Sequence, residues 1–210
     1  MPFLLSHISE EECSAGVLIT AIDEFLTYHP KDTAQIDILL SRSAGAKIPD
    51  SLLLPAVRCS AELVRLLMAH GLRPTNPRLV HEAALLGHED IVSLRLDHGL
   101  LVNHCDRRGW FGSYSRQDPP YPDYGYALHY AVYRAQPDVI RVLLERGADP
   151  NLRGNMGATA FEVPVGWTSD PEEKRSEAKR LLGLVKGVVV GDIPEIIRRD
   201  RAHAGAPVEL

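Results

Sequence analysis

Three stretches of the chain close in the same way. ELVRLLMAHG (Glu62 to Gly71), DIVSLRLDHG (Asp90 to Gly99) and VIRVLLERG (Val139 to Gly147) each carry apolar residues at helical spacing and end in glycine. In the last of them Val139, Ile140, Val142, Leu143 and Leu144 mark one helical face, and the closing glycine can take the left-handed conformation that ends a helix. A second apolar segment precedes each one: LLLPAVR from Leu52, LVHEAALLGH from Leu79 and ALHYAVYRAQ from Ala127. The unit is therefore a pair of short helices. One such pair cannot bury its apolar face alone, so neighbouring pairs must stack and share a core.

The last two units also share an offset, because His81 to Gly99 and His129 to Gly147 are both 18 residues. At this point the chain resembles the ankyrin repeat family, whose pattern runs roughly DxxGxTPLHxAAxxGHxxIVxLLLxxGADxN over about 33 residues. ALHYAVYRAQPDVIRVLLERGADPN fits that pattern closely and LVHEAALLGHEDIVSLRLDHGLLVN nearly as well; NMGATAFEV opens a degenerate copy with Glu162 in place of the histidine. The resemblance runs from about Pro49 to Val163. It implies an all-α array of helix-turn-helix units, a solenoid of about five irregular repeats, in which His81 and His129 hydrogen-bond the loops of adjacent repeats. Ala83, Ala84 and Ala131 would let the first helices approach closely. The first helices and hairpin tips would line a concave face that recognises other proteins.

The flanks are weaker copies. QIDILLSRSAG (Gln35 to Gly45) reads as the second helix of an N-terminal unit, and EAKRLLGLVKG (Glu177 to Gly187) as that of a C-terminal one. Terminal repeats depart from the pattern because one face meets water. The expected organisation is a capping segment over 1–48, core repeats over 49–163, and C-terminal capping helices with a frayed tail over 164–210. Ser169 or Asp170 would cap the helix after Val165, with Pro171 in its first turn and Glu172 and Glu173 near its positive end. Arg198, Arg199 and Arg201 lie among Asp192, Glu195 and Asp200, which reads as a solvated helix end rather than a docking signal.

Closing-glycine spacings locate the departures from a regular array. Gly45 to Gly71 is 26 residues and Gly71 to Gly99 is 28, so the hairpin loops there are shortened. Gly99 to Gly147 is 48, and the surplus lies between DRRGW and YALH: an insert over 111–125, FGSYSRQDPPYPDYG. Counting its neighbours, six rings cluster here: Trp110, Phe111, Tyr114, Tyr121, Tyr124 and Tyr126. Loop aromatics offer large contact area at little entropic cost, and Pro119, Pro120 and Pro122 stiffen the segment. These six are the expected partner-binding residues. The alternative is that the rings pack back onto the shortened fingers.

Charge and motifs narrow the field. With 23 basic and 28 acidic side chains there is no global positive field, so nucleic acid is not an expected partner. No apolar run reaches membrane-span length, and MPFLLSHISEEE lacks a secretory pattern. Cys13, Cys59 and Cys105 are odd in number and form no CxxC pair, which reads as a reducing, intracellular setting, the cytoplasm first and the nucleus as the alternative. His98, His104, Cys105 and Asp106 lack the spacing of a tetrahedral metal site, and no metal or cofactor is expected. GxSxG, HExxH and GxxxxGK[ST] are absent; an enzyme built from scattered residues would draw on His129, Tyr126, Asp123 and Glu162. The expected function is a protein-interaction module, monomeric alone, acting as an adaptor, inhibitor or assembly factor. The competing reading is a small-molecule binder or atypical biosynthetic enzyme with the insert as lid.

Overall fold

A computed structural model describes residues 33–42, 53, 56–57, 60–73, 76–106, 123–166 and 170–204. Among these, eight α-helices, one 3-10 turn and an isolated bridge make up the regular structure. The chain divides into two compact units, 1–79 and 80–210.

In the first unit α1 (Thr33–Arg42) packs against α2 (Ala61–Ala69). Ser60 starts α2: its backbone is extended and its hydroxyl accepts from Leu63 N at 3.1 Å, satisfying one of the amides a helix start leaves open. His70 Nε2, just past the end of α2, lies 2.7 Å from Asp37 Oδ1 on α1.

The remaining helices are α3 (Arg78–Leu86), α4 (Glu89–Asp97), α5 (Ala127–Tyr133), α6 (Pro137–Glu145), α7 (Glu172–Val185) and α8 (Ile193–Ala204). α6 is central, touching α4, α5, α7 and α8, and it buries Val139, Ile140, Leu143 and Leu144, the face marked out by its periodicity. All three closing glycines take positive φ: +91° at Gly71, +85° at Gly99 and +84° at Gly147. After each, the next amide reaches back five residues, Leu72 N to Leu67 O, Leu100 N to Arg95 O and Ala148 N to Leu143 O, which settles carbonyls the helix end leaves over. Ala135 holds φ +45° where the preceding unit has Gly87 at +85°, so one unit places a methyl group in the left-handed region.

The C-terminal helices corrected one local expectation. Asp170 does not cap α7, whose N-cap position is Pro171 without a side-chain hydrogen bond; its carboxylate lies 3.8 Å from Arg134 Nη2 instead. Ser169 lies outside the described residues. Arg141 of α6, Glu177 and Arg180 of α7 and Asp200 of α8 form one network: Arg141 donates to Asp200 at 2.8 Å and to Glu177 at 2.9 Å, and Arg180 donates to both carboxylates at 2.7–2.8 Å. Arg198 and Arg199 pair with Glu195, and Arg201 with Glu145 of α6, so these arginines are engaged in the cap.

Candidate functional site

The hairpins that follow α4 and α6 are joined by hydrogen bonds between successive units. Asn103 Nδ2 donates to Gly147 O at 3.3 Å, and its Oδ1 accepts from Asp149 N at 2.9 Å. His81 and His129 take the role expected of them. His81 Nε2 lies 3.3 Å from His104 O, and His129 Nε2 lies 3.0 Å from Ala158 O, each tying a first helix to the loop that follows its unit. His129 is 1% exposed. Burial pushes its pKa down, against the carbonyls of Ala158 and Leu152, which pull it up. A neutral ring donating from Nε2 fits this environment.

The insert leaves and re-enters the fold at one place. Cys105 and Tyr126 form an antiparallel bridge, and Asp106 N donates to Gly125 O at 2.9 Å. Gly125 has φ +81°, and a Cβ there would meet Cys105 Sγ at 2.9 Å, so both conformation and space demand glycine. Across this neck lies Asn155 from the next hairpin. Its Nδ2 donates to Asp106 O at 2.8 Å and to Asp123 Oδ1 at 2.9 Å, its backbone N to Tyr124 O at 3.3 Å, and Cys105 Sγ donates to its Oδ1 at 3.5 Å. Tyr130 completes the neck, its hydroxyl donating to Asp123 Oδ1 at 3.4 Å; burial and the Asp123 charge push that phenol well above its ordinary range. Gly154 permits the close approach, since a Cβ there would lie 1.9 Å from Tyr124 O.

Trp110, Phe111, Tyr114 and Tyr121 lie outside the described residues. Tyr124 is 6% exposed, a correction to its expected partner-facing role. Gly125 turns the chain so that the Tyr124 ring packs on α5, 5.3 Å from Tyr133, 5.9 Å from Tyr130 and 6.3 Å from His129. Burial, then the Tyr133 phenol, raise its pKa. Tyr126 is half-buried at the N-cap of α5, stacked on His129 at 5.3 Å, and makes no capping hydrogen bond. Residues 127–132 of α5 and 80–85 of α3 are buried, including Glu82 and Tyr130. Met156, beside Asn155, is 60% exposed.

Three of the four scattered acid–base candidates, His129, Asp123 and Glu162, carry hydrogen bonds within the fold, and the fourth, Tyr126, stacks on His129. His129 Nε2 serves Ala158 O, and Asp123 serves Asn155 and Tyr130. Glu162 Oε2 accepts from Thr159 N at 2.8 Å and from Arg153 at 3.1 Å, bonds that hold its carboxyl below the usual range. Asn155 was invisible to sequence reasoning, because its partners lie 32 and 49 residues away. His98 sits at the C-cap of α4 with Nδ1 2.7 Å from Leu94 O, and among the described residues no group of three or more His, Cys, Asp or Glu is placed to hold a metal. No described helix is long and apolar enough to cross a membrane.

Residues 52–154 match the family model described as ankyrin repeats, in three copies. No curated protein matches the chain.

Proposed function

Over residues 52–154 the chain belongs to the ankyrin repeat family, and we propose that it acts as an intracellular adaptor, inhibitor or assembly factor, monomeric alone, that grips a partner protein through the aromatic insert. Ankyrin repeats generally mediate protein–protein interaction. The observation that carries the finer reading is the neck. A ring-rich segment tethered at adjacent residues, with Asp106 N bonded to Gly125 O, loses less freedom on binding than a loop with loose ends. The buried inner helices α3 and α5 favour the hairpin side over the concave side. Partner contact then falls to Trp110, Phe111, Tyr114 and Tyr121, with Tyr126 and the soft side chain of Met156 at the edge, while Tyr124 anchors the root. The flanking helices cap the array.

The test is affinity capture from the native host, comparing the whole chain with one in which Trp110, Phe111, Tyr114 and Tyr121 are replaced together by alanine. Tyr124 and Gly125 stay, because removing them would disturb the packing on α5. Truncating interfacial aromatics at about 2 kcal/mol each predicts at least a hundredfold loss of partner affinity with unchanged melting. Capture that persists at full strength refutes the insert as the recognition element.

A further inference from the structure

We infer that Asn155 is a positioning residue, a latch from the following hairpin that fixes the two ends of the insert against each other. The inference deepens the proposed function and rests on it only for its consequence in partner binding. Asn155 is exposed, yet its side chain is spent wholly on the neck: both Nδ2 hydrogens go to opposite ends of the insert, to Asp106 O and to Asp123 Oδ1, and Oδ1 takes the Cys105 thiol. Asn151, also exposed, hydrogen-bonds its own turn through Asp149 two residues away, whereas Asn155, like Asn103, reaches across to a neighbouring hairpin. The residues joined are 49 and 32 positions distant, so the contacts order no local turn. They order the root of another loop.

The chemistry of the latch is directional. Asp123 and the Asp106 carbonyl can only accept, and the amide is the side chain of this size that offers two donors to them and an acceptor to Cys105. Asp123 is braced from the other side by the hydroxyl of Tyr130, a buried residue of α5. The hairpin after α6, the insert root and α5 are thereby joined at one carboxylate, and a partner that engages the insert meets ends already fixed.

The substitution Asn155→Asp keeps size while removing both donors and setting a second carboxylate beside Asp123. Amide exchange at Asp106 and alkylation of Cys105 by iodoacetamide, both read by peptide mass spectrometry on the full chain, should speed up on the order of tenfold, because local opening becomes easier. The melting temperature should hardly move. Adding Asp123→Asn returns a donor to the pair and should slow both rates most of the way back. Unchanged rates in the single variant, failure of the second substitution to slow them, or a melting loss that accounts for the faster exchange would each overturn the latch. Capture from the host should fall with Asn155→Asp although every ring is intact. If the ring-to-alanine variant keeps its partner while the exchange results hold, the proposed function fails and the latch stands; if that variant loses its partner and Asn155→Asp keeps it, the positioning role fails.

Discussion

Replacing His129 by leucine separates the hydrogen bond of this ring from its bulk and exposes its linkage to pH. Leucine fills most of the space on α5, while Ala158 O loses the donor that now stands 3.0 Å away. A polar group stripped of its partner costs about 1–3 kcal/mol, so His129→Leu should lower unfolding free energy by that amount near neutral pH. His129→Ala adds a cavity beneath Tyr124 and Tyr126 and should cost about 2 kcal/mol more. The sign of the pH effect follows from the lowered pKa of the buried ring. Above about pH 6.5 the imidazole is neutral in both folded and unfolded chains and linkage contributes nothing. As pH falls below that, the unfolded chain takes up a proton that the folded chain resists, and stability declines by at most about 1.4 kcal/mol per pH unit. Between about pH 7.5 and 5.5 the wild type should therefore lose up to about 1.4 kcal/mol more than His129→Leu, and the gap between them should narrow. Urea melts of both proteins across that range measure it. A gap independent of pH would mean that the ring titrates alike in both states, and no gap at all would mean that the Ala158 contact does not hold the loop.

Two further outcomes follow from the packing. Asp200→Asn removes the carboxylate shared by Arg141 and Arg180, and should destabilise α7 and α8 against α6 by about 1.5–3 kcal/mol in urea melts. Because the arginines beside Asp200 and Glu177 hold both carboxyls below their ordinary values, the wild-type cap should keep this stabilisation at neutral pH and lose it as pH falls through the carboxylate range; a cap equally stable at about pH 3 would contradict the network. Gly154→Ala drives a Cβ against the Tyr124 carbonyl and should speed exchange at Asn155 N while lowering the melting temperature; a variant as stable as wild type would show that the neck is not closely packed.

Helix pairs and closing glycines were legible because periodicity and the left-handed turn are local properties. His81 and His129 were legible because the same offset occurs twice, and each ring does bond the loop that follows its unit. Tyr124 was not: six rings in a row say nothing about which one turns inward, and the only local hint is Gly125, whose positive φ reverses the chain. Asp170 misled because an acid before a proline is a good helix-cap signal, yet the helix starts one residue later, with Pro171 at the N-cap and the Asp170 carboxylate 3.8 Å from Arg134, 36 residues earlier. Asn155 and the Arg141–Asp200 pair depend on residues dozens of positions apart, where pattern carries no information.

Ser60 caps α2 with its hydroxyl. Tyr126, like His88 and Gln136 at the starts of α4 and α6, makes no side-chain capping bond at the start of α5, where it has the extended backbone of a cap. A serine or threonine there would add about 1 kcal/mol of helix stability. The ring returns part of that by stacking on His129, yet it stays half-exposed beside the bridge to Cys105. On the proposed function Tyr126, and not the buried Tyr124, is the described ring left for partner contact. Tyr126→Thr should then leave the protein at least as stable in urea melts while weakening its capture of the partner; a variant that is less stable and binds as before would return Tyr126 to the core.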